Sequence, residues 1–333
     1  MRTVSINVMN LCVPCACRCR YCLLSWDGRT QGAEDRRAQA YARRFHRWLK
    51  ENRPEMSFLY GFGYAMEHPR LMEAIDFCRA TGSATGEFLQ LNGMAMRTPA
   101  ELFRLLTEAK GRGVQLINLT FYGTEAYHDR FAGRKGDFRL LLDTLSAAEK
   151  AGLPAAVDMP LTLESASLAE ALLAAVAPLH PAKTRLFVPH SEGRGRTLEP
   201  IRLTLPAFEA LPEGVRALMN RQVFRTEAEW LAAGDFPVPE KRVLTLNLTA
   251  ENIAFFEQQP FEETIAYLEA LDDAYYGALP DMASLAARYG DASSDRMYSL
   301  RDLRMGYERR YIAETGLSLP DMHDERGHFS RRI

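Results

Sequence analysis

A regular alternation of strand-like and helix-like segments is the strongest constraint on the fold of this chain. Six short runs have the composition of strands, at residues 3–10, 57–63, 87–92, 114–121, 155–161 and 184–188. Between them, apolar residues recur at helical spacing in segments 34–50, 69–80, 99–111, 137–151 and 168–179. Strands that are separated by helices pair in parallel through right-handed crossovers. The sequence therefore predicts an α/β sheet or barrel.

The number of strand–helix units sets the size of that barrel. Six units are fewer than the eight of a closed barrel, so we predict an α/β fold built as a partial (β/α)6 TIM-like barrel over residues 1–200. Its gap would admit a large substrate. Beyond residue 200, one more alternating strand at 242–248 is followed by amphipathic helices at 261–279 and 299–315. We predict a mostly helical C-terminal accessory region over residues 201–333.

The composition argues against several classes of partner. The 333 residues carry a formal net charge of −2, which gives no electrostatic basis for binding nucleic acid or a membrane surface. No apolar run approaches the ~18 residues of a membrane span, and we expect no signal peptide. Five of the six cysteines lie between Cys12 and Cys22. That clustering predicts metal binding in a reducing cytoplasm rather than a disulfide framework.

The clustered cysteines directly follow the first predicted strand. Cys15, Cys19 and Cys22 form the spacing C-x3-C-x2-C, and three such thiolates can hold three irons of a 4Fe–4S cluster while the fourth iron stays open to a small molecule. With Cys12 the run could instead bind zinc, although the two knuckles of a zinc ribbon are usually ~12–20 residues apart. A purely structural patch of thiols is the third alternative. The spacing does not match that of bacterial ferredoxins.

Together with Tyr21, which directly precedes the last of the three cysteines, this motif resembles the signature of the radical S-adenosylmethionine (SAM) superfamily. The resemblance implies a 4Fe–4S cluster held by Cys15, Cys19 and Cys22, with SAM chelating the open iron. It implies that an electron from the reduced cluster cleaves SAM to a 5′-deoxyadenosyl radical, which abstracts a hydrogen atom from the substrate. A reducing partner such as flavodoxin or ferredoxin is implied as well.

Further segments are similar to those that bind SAM in this superfamily. Where the family carries Gly-Gly-Glu-Pro after the second strand, this chain keeps Gly63 but has Tyr64 in place of the glutamate. The third strand ends in Asn92 followed by glycine, similar to the family's Thr-Asn-Gly. The loop after the sixth strand resembles the family's V-x-P-x-G-R-G, which implies that the backbone near Val188 contacts the adenine. These residues and Tyr21 are the implied nucleotide site.

The loop after the fourth strand extends this resemblance to radical SAM peptide maturases, which carry S-x-D-G-x4-H-D-x2-R-G-x2-G-x-F there. Thr120 stands where those enzymes have a ribose-binding serine, and Tyr122 replaces their aspartate. Ala132 replaces their arginine, which implies that Arg130 or Arg134 binds the SAM carboxylate.

The same loop contains a His-Asp pair, His128 and Asp129. We predict that the two side chains hydrogen-bond to each other and rigidify a turn, rather than act directly in catalysis.

The resemblance to peptide maturases implies a peptide substrate. Such enzymes often append a SPASM or twitch domain with auxiliary clusters, but no cysteine follows Cys78 here, so no second cluster is predicted. The accessory region is instead expected to cover the barrel mouth. One alternative is radical modification of a small-molecule metabolite. Another is a degenerate metal-binding barrel without SAM cleavage, which the altered Gly-Gly-Glu segment would suit.

Overall fold

The architecture is that of a computed structural model, which describes residues 3–10, 15–22, 32–61, 68, 70–191, 193–237 and 241–319. Its strands are β1 (Thr3–Asn10), β2 (Ser57–Gly61), β3 (Phe88–Gln90), β4 (Leu116–Thr120), β5 (Ala155–Pro160), β6 (Lys183–Phe187), β7 (Phe224–Thr226), β8 (Lys241–Leu248) and β9 (Met297–Ser299). Its α-helices are α1 (Asp35–Asn52), α2 (Leu71–Ala80), α3 (Pro99–Gly111), α4 (Glu125–Ala132), α5 (Asp137–Ala151), α6 (Ala169–Val176), α7 (Leu205–Glu209), α8 (Glu213–Arg216), α9 (Glu227–Ala233), α10 (Ile253–Gln258), α11 (Phe261–Gly277), α12 (Met282–Tyr289) and α13 (Leu300–Thr315).

The strands form two parallel sheets and one small antiparallel pair. The first sheet has the order β2-β1-β8 and the second β3-β4-β5-β6, and all of their pairings are parallel. Strands β7 and β9 form the antiparallel pair. Across the described strands the sheet does not close into a barrel. The predicted α/β class with an open, partial barrel is therefore confirmed.

Strand β2 lies at the edge of the first sheet, and a residue of a turn makes one of the hydrogen bonds that a neighbouring strand would otherwise make. The backbone N–H of Tyr60 donates to the hydroxyl of the buried Ser83 at 2.9 Å. An edge strand needs partners for its backbone groups. Ser83, in the connection between α2 and β3, thus links the two sheets where they share no strand pairing in the described chain.

The crossover helices follow local signals in the sequence. In α3, Thr98 and Glu101 form a capping box with Pro99 in the first turn. Helix α5 ends at Gly152, whose φ of 62° is a left-handed conformation that glycine adopts readily. Both helices have the predicted bounds, 99–111 and 137–151.

Two elements change the predicted arrangement. The segment after β4, which the sequence analysis treated as a loop, contains the helix α4. Strand β8 lies beyond the predicted boundary at residue 200 but pairs along its whole length with β1, from Thr3 opposite Lys241 to Asn10 opposite Leu248. The boundary itself stays a prediction, yet the barrel sheet includes a strand from the C-terminal part of the chain.

The largest hydrophobic core joins the strands of the two parallel sheets, while separate clusters contain α4 and the helices α9, α12 and α13. Leu244, Leu246 and Leu248 alternate along β8 and share that core with Ile6 and Val8 of β1. Because successive side chains of a strand point to opposite faces, the residues between them lie on the other face of the sheet. Of the described helices, none is both long enough and apolar enough to cross a membrane.

Candidate functional site

The cysteine segment, residues 15–22, lies beyond the carboxyl end of β1 and is held there by backbone hydrogen bonds. Arg18 N–H donates to the carbonyl of Ala132 at 2.7 Å, and Ala16 N–H donates to Gly93 at 2.8 Å. A Cβ on Gly133 would stand 3.0 Å from the Cβ of Arg18, so the close approach favours glycine. The turn after α4 and the loop after β3 thus fix the path of this segment.

The three predicted ligands share one packed cluster of side chains. Cys19 is buried, and Cys15 and Cys22 are half-buried beside it. The side chains of Tyr122 and Phe131 belong to the same cluster and are buried beside the cysteines. In the part of the chain that the structure describes, no three His, Cys, Asp or Glu side chains lie close enough together to hold a single metal ion.

That finding bears on the two metal alternatives. Ligands of one zinc ion must converge on a point, and the zinc alternative also uses Cys12, which lies outside the described residues. Ligands of a 4Fe–4S cube each bind a different iron, so they need to surround a larger volume. The choice between the cube and zinc therefore stays a prediction.

The electrostatic environment favours thiolates, the form that binds metal. A hydrogen bond from the Cys17 thiol, helped by the charges of Arg134 and Arg18, lowers the pKa of Cys15 to about 6. The pKa of Cys19 is lowered as well, first by Cys17 and then by Tyr122, against the effect of burial. Hydrogen bonding with Cys15 and with Cys19 raises the pKa of Cys17, so Cys17 keeps its single proton, which it can donate to one of these neighbours at a time.

A set of buried hydrogen bonds connects the cysteine segment to the helices α4 and α5. Cys17 Sγ lies 3.7 Å from Asp137 Oδ2, and His128 Nε2 lies 3.0 Å from the same oxygen. His128 Nδ1 accepts the backbone N–H of Tyr122 at 3.1 Å, so Nε2 carries the proton and donates to Asp137. The Tyr122 hydroxyl then donates to Cys19 Sγ at 3.2 Å.

Asp137 is the charge at the centre of this set of hydrogen bonds. Burial opposes its ionisation, but hydrogen bonds from His128 and Arg134 outweigh burial and hold the pKa of Asp137 below its ordinary value. Arg134 donates from Nε to Asp137 at 3.1 Å and also binds the carbonyl of Met94. The predicted pairing of His128 with Asp129 is therefore wrong, because Asp137 takes that place. Asp129 instead accepts the N–H of Gly136 and of Phe138.

A row of polar side chains crosses the second sheet on the face opposite its apolar core. Asn118 Nδ2 lies 2.7 Å from both Gln90 Oε1 and Asp158 Oδ2. Arg185 donates to the two oxygens of Asp158 at 2.6 and 2.7 Å. Gln90 also donates to the Thr120 hydroxyl at 3.2 Å. The sequence analysis missed this row, although polar residues alternate with apolar ones along these strands.

The face of β8 that carries polar residues has groups without a partner. Thr245 and Asn247 are buried, and among the described residues neither Thr245 Oγ1 nor Asn247 Oδ1 has a hydrogen-bond partner. The register places Asn7 opposite Thr245, so polar side chains of β1 and β8 stand side by side. Buried polar atoms of this kind usually find a partner in water or a ligand.

The loop after β6 joins the cysteine segment to the C-terminal helices. Arg194 N–H donates to the carbonyl of Cys22 at 3.0 Å. His190 Nδ1 lies 3.1 Å from Asp302 Oδ2 at the start of α13. A Cβ on Gly195 would overlap the carbonyl oxygen of His190, so this loop requires glycine there.

The comparisons with known proteins give matches among solved structures only, since no protein-family model and no curated protein matches. Streptococcus suis SuiB bound to the precursor peptide SuiA has a TM-score of 0.52 and 12% identity, over 82% of this chain and 66% of that chain. Coproporphyrinogen III oxidase (HemN) from Escherichia coli, a radical SAM enzyme, has a TM-score of 0.44 and 12% identity, over 93% and 91%.

Native anSMEcpe with bound AdoMet has a TM-score of 0.40 and 16% identity, over 56% of this chain and 51% of that chain. The match thus spans about half of the anSMEcpe chain. The TM-score to SuiB exceeds 0.5 and carries the argument for the fold. This chain shares the fold of SuiB.

Within this fold, three of the residues predicted to bind SAM come together beside the cysteines. Asn92 and Thr120 bind each other, with Asn92 Nδ2 donating to the Thr120 carbonyl at 2.8 Å and Thr120 N–H donating to Asn92 Oδ1 at 2.7 Å. The ring of Tyr21 stands 5.4 Å from that of Tyr122. Burial raises the pKa of Tyr21, which has Tyr122 and Thr120 as hydrogen-bonding neighbours.

The remaining predicted SAM residues are more scattered. Val188 is buried in the main core, so only its backbone can face a ligand. Arg130 is exposed, with its guanidinium 5.1 Å from the ring centre of Tyr127, whereas Arg134 is engaged with Asp137. Gly63 and Tyr64 lie outside the described residues. All of these assignments stay predictions.

Proposed function

We propose that this protein is a radical SAM enzyme. The observation that carries the proposal is the cysteine segment. Cys15, Cys19 and Cys22 have the spacing of the radical SAM motif and follow β1 of a fold shared with SuiB, and the pKa values of Cys15 and Cys19 are lowered toward the thiolate. These three residues would hold a 4Fe–4S cluster with one open iron. When bound, the cluster and SAM supply methionine and a 5′-deoxyadenosyl radical by one-electron cleavage of the sulfonium C–S bond.

The protein's own residues would orient and shield these groups. Arg18 donates to the carbonyls of Cys15 and Cys17 at 2.9 and 2.8 Å, which fixes the loop that carries the ligands. Tyr122 and Phe131 exclude water from the inner side of the cysteines. The nucleoside of SAM would be bound by Tyr21, Asn92, Thr120 and the backbone near Val188. Arg130 or Arg134 would bind the carboxylate of the methionine part of SAM.

We propose a peptide as the substrate. The resemblance of the segment after β4 to peptide maturases supports this class, and SuiB was solved with a precursor peptide. The polar row from Gln90 to Arg185 offers amide, carboxylate and guanidinium groups that suit a peptide backbone. Asn247 Oδ1, which has no partner among the described residues, adds a further acceptor. A small metabolite rich in hydrogen-bonding groups is the second candidate, and the same polar wall would serve it.

The proposal also requires an electron source. A one-electron reductant of the flavodoxin or ferredoxin class is the natural partner. We further propose a cytoplasmic location, because five of the six cysteines cluster between Cys12 and Cys22, and such free thiols need a reducing compartment.

The central test is anaerobic reconstitution with iron and sulfide, followed by SAM and dithionite. We expect the broad visible absorbance of a 4Fe–4S cluster and release of 5′-deoxyadenosine, detected by mass spectrometry. Cys19→Ala should lose both signals. Cys78→Ala is the matched control, because Cys78 is equally buried but packs in the main core.

The outcomes separate the alternatives. A wild-type protein that binds no cluster would contradict the proposal. An intact cluster without 5′-deoxyadenosine would instead support the degenerate barrel. For the substrate, mass spectrometry of molecules that co-purify with the protein, compared with binding of synthetic peptides, would distinguish a metabolite from a peptide.

A further inference from the structure

Besides the Cys17 thiol, the hydroxyl of Tyr122 is a side-chain group placed to hydrogen-bond the predicted cluster ligand Cys19. It donates to Cys19 Sγ at 3.2 Å. Both side chains are buried, with 1% and 9% of their surface exposed. Because water scarcely reaches the pair, the hydrogen bond is not exchanged for one to solvent.

The position of Tyr122 is fixed on every side that the structure describes. Its ring stacks on His128 with centres 4.9 Å apart and an interplanar angle of 27°. Phe131 packs on it at 4.5 Å, and its backbone N–H is bound by His128 Nδ1. His128 is in turn held by Asp137. The hydroxyl therefore cannot turn away from the sulfur without disrupting this packing.

The direction of the hydrogen bond follows from charge. The Tyr122 phenol has a proton to donate, whereas a thiolate that binds iron has none, so Tyr122 is the donor of this pair. Tyr21 is the other hydrogen-bonding neighbour of that oxygen. Because the sulfur carries negative charge, the Tyr122 proton is directed at Cys19, and Tyr21 can donate to the Tyr122 oxygen.

We propose that Tyr122 raises the reduction potential of the 4Fe–4S cluster by donating a hydrogen bond to the sulfur of its ligand Cys19. This inference rests on the proposed function, because it concerns the cluster that the three cysteines would hold. Hydrogen bonds to the sulfurs are among the determinants of Fe–S potentials. One electron enters from a flavodoxin-type donor or from dithionite, the cluster gains one negative charge, and no covalent bond forms or breaks.

The reason for a rise in potential is the added charge. A donor that points at the sulfur stabilises the more negative, reduced cluster more than it stabilises the oxidised one. The proton stays on the Tyr122 oxygen in both states. The aspartate that related peptide maturases have at this position carries negative charge and no such donor, so the tyrosine gives this chain a distinct means of easing reduction.

The test is a redox titration of reconstituted wild-type protein and of Tyr122→Phe, followed by visible absorbance and by electron paramagnetic resonance of the reduced cluster. Removing the hydroxyl should lower the ratio of reduced to oxidised cluster at a fixed potential about tenfold, which is ~59 mV for a one-electron couple. Tyr127→Phe is the matched control. Tyr127 packs in the same group of buried side chains but donates to Glu164 at 3.0 Å. The reduction potential of the 4Fe–4S cluster in Tyr127→Phe should therefore equal that in the wild type.

Equal potentials for Tyr122→Phe and wild type would overturn the inference and leave the proposed function standing. A wild-type protein that binds no cluster would overturn both. If Tyr122→Phe fails to assemble a cluster, the wild-type protein alone decides. Electron–nuclear double resonance of its reduced cluster should show a strongly coupled proton that disappears in D2O, and its absence would refute the hydrogen bond.

Discussion

At the scale of single residues, Asp137 is the buried charge that ties the cysteine segment to the barrel. Its two oxygens are shared among Cys17, His128 and Arg134. A buried ion pair contributes little net stability as a whole, but loss of one partner leaves the other charge uncompensated. The conformation of the cysteine loop therefore depends on Asp137, although Asp137 is not one of the predicted cluster ligands.

Asp137→Asn is expected to lower the free energy of unfolding by about 3 kcal/mol, because Arg134 loses its carboxylate. The amide N–H2 would also meet the proton on His128 Nε2. Urea unfolding followed by circular dichroism measures the loss. Asp143→Asn, which removes a half-buried carboxylate from the same helix, should shift the free energy by less than about 0.5 kcal/mol. Equal midpoints for the two variants would contradict the central role of Asp137.

The close packing around residue 195 requires a glycine there. A Cβ there meets the backbone of His190, which cannot yield as a flexible side chain would. We expect Gly195→Ala to cost about 1–3 kcal/mol in the free energy of unfolding. Gly111→Ala is the control, because nothing lies within 4 Å of its added Cβ, and it should be neutral or stabilising. Thermal unfolding of both variants checks this, and a stable Gly195→Ala would mean that the loop is free to move.

At the scale of secondary-structure elements, helix α13 is fixed to the loop after β6 by one carboxylate. Burial opposes ionisation of Asp302, but hydrogen bonds from His190 and Ser299 lower its pKa from 3.8 to about 2. A carboxyl whose pKa is depressed by folding contributes stability above its unfolded pKa, and that stability is lost as the pH falls toward the folded value. The difference here is worth about 2 kcal/mol.

Asp302→Asn should therefore destabilise the protein by about 2 kcal/mol at pH 7, and this difference from the wild type should shrink to about half by pH 3. Urea unfolding at pH 7, 5, 4 and 3 measures it. Asp273→Asn is the control, since that carboxylate is exposed on α11. A difference between Asp302→Asn and wild type that stays constant down to pH 3 would show that the hydrogen bonds from His190 and Ser299 do not lower the pKa of Asp302.

The elements that the sequence predicted well are those with local signals. The start of α3 is signalled by Thr98, Pro99 and Glu101, which lie within four residues of sequence. Helix α4 was missed because it is eight residues long and its buried face is short. The partner of His128 was missed for a related reason: Asp137 lies nine residues away, and only the turn between α4 and α5 brings the two together. The three cysteine ligands, by contrast, are predicted from their spacing alone, and that assignment stays a prediction.

At the scale of the whole molecule, the pairing of β8 with β1 makes the C-terminal region part of the barrel sheet. A strand carries no local signal of which strand it will pair with, so the sequence predicted β8 but not its neighbour. Leu246 of β8 and Val8 of β1 lie opposite each other and are both buried in the main core. Helix α11 covers the same core through Ile265 and Leu268.

This arrangement predicts that the barrel and the C-terminal region unfold together. Leu246→Ala should lower the free energy of unfolding by about 2–5 kcal/mol, and hydrogen exchange should increase to the same extent in peptides that contain β1 and in those that contain β8. Phe255→Ala is the control, because Phe255 is 55% exposed and its loss should change little. If Leu246→Ala accelerates exchange in β8 while β1 keeps its wild-type protection, the two regions fold independently. The C-terminal region would then be a separate unit despite the shared sheet.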